Sequence, residues 1–120
     1  MEIKIPGVDA KTGLGFCDDD MEIYTSVLRS YASTIPGTLE KMQNVTAETL
    51  KNYAICVHGV KSSSLSIGAD ETGQAAKKLE LLAKAGDLQA VLAQNEAFIK
   101  QAKALAANIQ SWLEKNNTGL

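Results

Sequence analysis

Apolar residues after position 20 recur at steps of three and four, the spacing of one buried helical stripe. The first stripe is Met21, Tyr24, Leu28, Tyr31 and Ile35. Pro36-Gly37 is expected to break or kink this helix, after which Leu39 and Met42 carry the stripe to about Gln43. Thr46 is the next N-cap candidate, with Glu48 in the first turn. The stripe behind it is Leu50, Tyr53, Val57, Val60, Ser64 and Ile67, and Gly68 suits the position just past the helix end. Asp70 opens a further helix with Ala75, Leu79, Leu82 and Ala83 on one face, ended by Gly86. Asp87 caps the last helix, whose stripe is Val91, Asn95, Phe98, Ala102, Leu105, Ile109 and Trp112. Ahead of all these, Val8 to Phe16 can form a short helix opened by Asp9. Asp18-Asp19-Asp20 then supplies a cap and acidic turn for the first long helix.

Long amphipathic helices joined by short Gly or Asx junctions predict an all-α fold. The expected form is an antiparallel four-helix bundle with a short extra N-terminal helix, one domain over residues 1–120. Composition agrees: apolar residues are 45% and charged residues 22%, as in ordinary globular chains. Twelve basic against fourteen acidic residues leave a net charge of −2. That balance argues against a nucleic-acid binder held by a broad basic surface. No apolar run approaches the ~18 residues of a transmembrane helix, and Met1 to Pro6 does not read as a signal peptide. Cys17 and Cys56 are too few for a disulfide framework or a zinc site, so a reducing cytoplasm is the expected setting.

The chain has one histidine, His58. On a helical wheel it falls about 130° from the centre of the buried stripe, on the solvent side. Its neighbours on that face are Lys51, Ala54, Ile55, Lys61, Ser62 and Leu65, with Lys61 and Ser62 one turn away. An imidazole nitrogen is a competent nucleophile toward an activated phosphoryl group, and an ammonium one turn away can offset the arriving charge. Small residues beyond it admit a partner closely, and Ile55 and Leu65 offer that partner apolar surface.

The stretch His58-Gly59-Val60-Lys61-Ser62, running on to Ile67-Gly68, resembles the signature of histidine-containing phosphotransfer domains. Gly13-Leu14-Gly15-Phe16 with the acidic residues and Glu22-Ile23-Tyr24 is similar to that family's N-terminal segment. Lys84-Ala85-Gly86-Asp87-Leu88 is similar to its fourth-to-fifth helix junction. The resemblance implies that His58 accepts a phosphoryl group from the aspartate of one receiver domain and passes it to another. It implies that Lys61 offsets the phosphoryl charge and that Ser62 stands where the family usually has Gly, beside the docked partner. Glu80 falls where the family often has Gln or Glu facing the histidine, and a carboxylate there can accept the other ring N–H.

The partners so implied are response-regulator receiver domains and a hybrid sensor histidine kinase. Ala54, Ile55, Ser62 and Leu65 form the docking face. The protein is then a monomeric phosphocarrier with no cofactor of its own, no bound metal and no autonomous kinase or ATPase activity. The receiver supplies Mg²⁺ and its carboxylates. Two other readings stand beside this one. In the first the chain is a helical-bundle adaptor or dimerisation module in which His58 is incidental. In the second it is the phosphoacceptor domain of a larger hybrid kinase. Asp18-Asp19-Asp20 reads as a helix cap rather than a Mg²⁺ site, Ser62 lacks an oxyanion hole and a third member for hydrolase chemistry, and Asn95 reads as a hydrogen-bonded core residue.

Overall fold

The computed structural model describes residues 3–116. Five helices follow in order: α1 (Ala10–Phe16), α2 (Met21–Lys41), α3 (Leu50–Ser66), α4 (Asp70–Lys84) and α5 (Leu88–Asn116). No strand occurs among the described residues. α3 packs most extensively on α4 and α2 on α5, while α4–α5 and α2–α3 contacts close the ring of four. α1 lies across one end, against α2 and α3. The molecule is elongated, 47 × 23 × 19 Å. α5 with its 29 residues spans most of that length, at about 1.5 Å per residue.

The helix starts follow from local chemistry. Asp9 accepts a hydrogen bond from the Thr12 backbone N–H, and Asp20 from those of Glu22 and Ile23. Asp87 accepts from Ala90 N–H at 3.1 Å. Each satisfies backbone donors that a helix start leaves unpaired. α3 begins later than the Thr46 cap would place it. Thr46 and Thr49 instead bond reciprocally, each backbone N–H donating to the other's hydroxyl, and this closed turn delays the helix to Leu50.

α2 is not broken at Pro36: the helix runs through it to Lys41. Pro36 and Gly37 are exposed, while Ile35, Leu39 and Met42 are buried on one side. Burial of that stripe outweighs the one backbone hydrogen bond a proline removes. At the far end of α5 the buried position is Leu113, and Trp112 is only half-buried. A step of four from Ile109 follows the 3.6-residue period more closely there than a step of three.

The α3–α4 junction ties the bundle together. Gly68 has φ +86°, a left-handed conformation that glycine adopts without penalty. A Cβ on Gly68 would run into the Asp9 carbonyl. The Gly68 carbonyl accepts from Asp9 N–H at 2.8 Å, and the Ile67 carbonyl accepts from the Tyr24 hydroxyl at 2.7 Å. Gly13 of α1 sits so close that a Cβ would meet Ile67 O and the Tyr24 ring. Buried polar groups elsewhere are paired. The Tyr31 and Ser64 hydroxyls bond at 2.8 Å, Tyr53 donates to Asn95 Oδ1 at 2.8 Å, and Asn95 Nδ2 donates to the Met42 carbonyl at 2.8 Å.

Candidate functional site

The buried stripe of α3, Leu50, Tyr53, Val57, Val60 and Ser64, fixes the rotation of that helix. His58 therefore points out of the core, with 55% of its side chain exposed. α4 packs alongside and buries Thr72, Gly73, Ala76, Leu79, Glu80 and Ala83. Glu80 is the one charged residue on that buried face, and its side chain is only 4% exposed.

The Glu80 carboxylate holds three groups. Oε2 lies 2.7 Å from His58 Nδ1 and 3.0 Å from Lys84 Nζ; Oε1 lies 2.7 Å from Lys61 Nζ. The Lys61 hydrogen bond is the strongest influence on its ionisation. Those of Lys84 and His58 act in the same direction and together they outweigh burial, so the carboxyl is held down at about 2. Glu80 is therefore an anion at neutral pH and can only accept hydrogen bonds. The proton in the His58–Glu80 bond belongs to Nδ1. In the neutral imidazole the lone pair then resides on Nε2, which makes no hydrogen bond among the described residues. The arrangement is an oriented, unpaired nitrogen nucleophile on an exposed helix face, with two ammonium groups gathered at its base.

The structure brings His58, Lys61 and Glu80 together and adds Lys84, which the sequence placed only in the fourth-to-fifth helix junction. Lys84 was discoverable as the i+4 partner of Glu80, a spacing that favours ion pairs on one helix. Around the histidine, Ile55 is 67% exposed, Ser62 is exposed and Ala54 half-buried. Leu65 is half-buried, its side chain lying where a Cβ on Gly73 of α4 would go. It thus helps close the α3–α4 contact and presents only part of its surface outward. A Cβ at Gly59 would meet nothing within 4 Å, so the bundle's own packing does not require glycine there.

Other polar side chains stay out of the site. Ser64 is buried against Tyr31. Asp20 caps α2, and no group of three or more metal-binding side chains occurs among the described residues. No helix among them is long and apolar enough to cross a membrane.

These features define a class: a helical bundle that presents one histidine on its surface, its Nδ1 held by a buried carboxylate. The Hpt domain family model matches residues 26–112, and the chain belongs to that family. Its general role is histidine phosphotransfer in two-component phosphorelays, where Hpt domains work with receiver domains and kinases. Comparison with curated proteins and with solved structures gave no match.

Proposed function

We propose that His58 accepts a phosphoryl group from the phosphoaspartate of one receiver domain and delivers it to the aspartate of another. The observation that carries this is the Nδ1–Glu80 bond of 2.7 Å, which leaves Nε2 oriented and unpartnered. In the forward step the Nε2 lone pair forms a bond to phosphorus. The acyl-phosphate P–O bond breaks, and its electron pair stays on the receiver's carboxylate. The Nδ1 proton remains shared with Glu80. Holding that proton keeps the phosphorylated imidazole cationic and so a good leaving group, which suits a carrier that must also give the phosphoryl away.

Mg²⁺ and the carboxylates that bind it come from the receiver in this reading, since phosphoryl transfer needs charge neutralisation beyond two lysines. The receiver seats over Ala54, Ile55, Ser62 and Leu65, with the hybrid sensor kinase upstream in the relay. An adaptor that makes no use of His58 has no need of a buried anion beneath an exposed histidine.

The test is incubation of the purified chain with a phosphorylated receiver, or with ATP and Mg²⁺ alone. Label should appear only with the receiver, survive base and be lost in acid. Robust labelling from ATP alone would overturn the relay reading. Enlarging Ser62 to Tyr tests the docking face. Reacting atoms must approach to about 3–3.5 Å, and a displacement of ~1 Å costs about 100-fold. Receiver binding and transfer should fall together in Ser62→Tyr with the fold intact, and a wild-type rate would place the docking surface elsewhere.

A further inference from the structure

Three groups hold the Glu80 carboxylate, and they hold it unequally. Lys61 Nζ is 2.7 Å from Oε1, and its side chain is 22% exposed. Lys84 Nζ is 3.0 Å from Oε2, and its side chain is 63% exposed. Oε2 is also the oxygen that accepts from His58 Nδ1. Lys84 therefore shares an oxygen with the imidazole, whereas Lys61 is the sole partner of the other oxygen.

A phosphoryl group arriving on Nε2 brings negative charge that competes with Glu80 for these ammoniums. Removing Lys61 from Oε1 would strip a buried carboxylate of its best-sheltered cation, and breaking such a pair is costly. Removing Lys84 breaks a solvent-exposed i,i+4 pair, the kind whose net worth is small. Oε2 would still accept from Nδ1, and Oε1 would still hold Lys61. We propose that Lys84 is the cation that meets the phosphoryl group on His58, while Lys61 is a positioning residue that anchors Glu80 and, through it, the imidazole. This rests on the reading of His58 as the phosphoacceptor. It divides between two residues a role that sequence spacing assigns to Lys61 alone.

The full chain can be loaded with phosphoramidate, a small-molecule donor that phosphorylates histidine without a receiver. ³¹P NMR then follows the second ionisation of the phosphoryl group, and ¹⁵N NMR of the unphosphorylated protein reports which imidazole nitrogen carries the proton. Lys84→Met should lower the phosphoryl acid dissociation constant about two- to fivefold, the scale of an exposed charge contact, with the Nδ1–H tautomer as in wild type. Lys84→Arg should restore most of that loss. Lys61→Met should instead move the tautomer balance away from Nδ1–H and change the phosphoryl ionisation less.

The division of roles is overturned if Lys61→Met lowers that constant as much as Lys84→Met or more, with the imidazole still protonated on Nδ1. Should Lys61→Met unfold, Lys84→Met decides alone, and an unchanged phosphoryl ionisation overturns the proposal. If His58 takes no label from either phosphoramidate or a phosphorylated receiver, the phosphoacceptor reading itself fails. If label is present and Lys84→Met is silent, only the role of Lys84 fails.

Discussion

Glu80 shows how one buried charge organises an otherwise exposed site. Its carboxyl, ordinarily near 4.5, is held at about 2, chiefly by Lys61. Because the folded value is depressed, the stabilisation is present above about pH 4.5 and is lost as pH falls toward about 2. Urea melts of wild type and Glu80→Gln across a pH series should show a gap that is open above about pH 4.5 and narrows below it. His58 responds differently, since more than half of its side chain is in solvent. His58→Gln should abolish transfer while circular dichroism and melting stay close to wild type, within about 1 kcal/mol. A loss of several kcal/mol would make His58 a structural member of the Glu80 network.

At the scale of the helices, two glycines of the α3 region make opposite demands. Gly59 lies mid-helix with open space where a Cβ would go. Gly59→Ala should raise stability by about 0.5–1 kcal/mol, the difference in helix propensity, read as a higher urea midpoint. Gly68 combines a left-handed backbone with the Asp9 carbonyl against its missing Cβ. Gly68→Ala should cost about 1–3 kcal/mol from backbone strain alone, with further loss if α1 is displaced from the junction. The same urea melts rank the two substitutions, and the opposite order would contradict this account of the junction. The α3 stripe and the outward placement of His58 were legible in the sequence, because a 3.6-residue period encodes a helix's own faces. The start of α3 was not, because Thr46 and Thr49 both qualify as caps and their mutual hydrogen bonds decide between them.

Across the whole molecule, structural and reactive polar groups form separate networks that share only α3. Asn95 joins the end of α2 to α3 and α5 through Met42 and Tyr53, whereas the phosphoryl chemistry is assigned to α3 and α4 alone. Asn95→Ala leaves a buried hydroxyl and a buried carbonyl unpaired. It should cost about 2–3 kcal/mol, measured by denaturant melting. Transfer by the folded fraction should remain at the wild-type rate. A transfer defect at full folding would show that the two networks are mechanically coupled through α3.

By itself the sequence determined the helices, most of their buried stripes and the exposure of His58. It also placed Lys61 and Ser62 one turn from that histidine. All of these are properties of a single helix, carried by spacing within a short window. Tertiary structure decided what lies beneath the histidine. Glu80 and Lys84 reach it only because α4 stands beside α3 in one register, which Leu65 over Gly73 and the Gly68 turn impose. Spacing within either helix carries no record of that register, and the resemblance alone pointed to Glu80. The passage of α2 through Pro36 belongs to the same category. Local chemistry favours a break there, and the core that Ile35, Leu39 and Met42 share with the other helices keeps the chain helical through it.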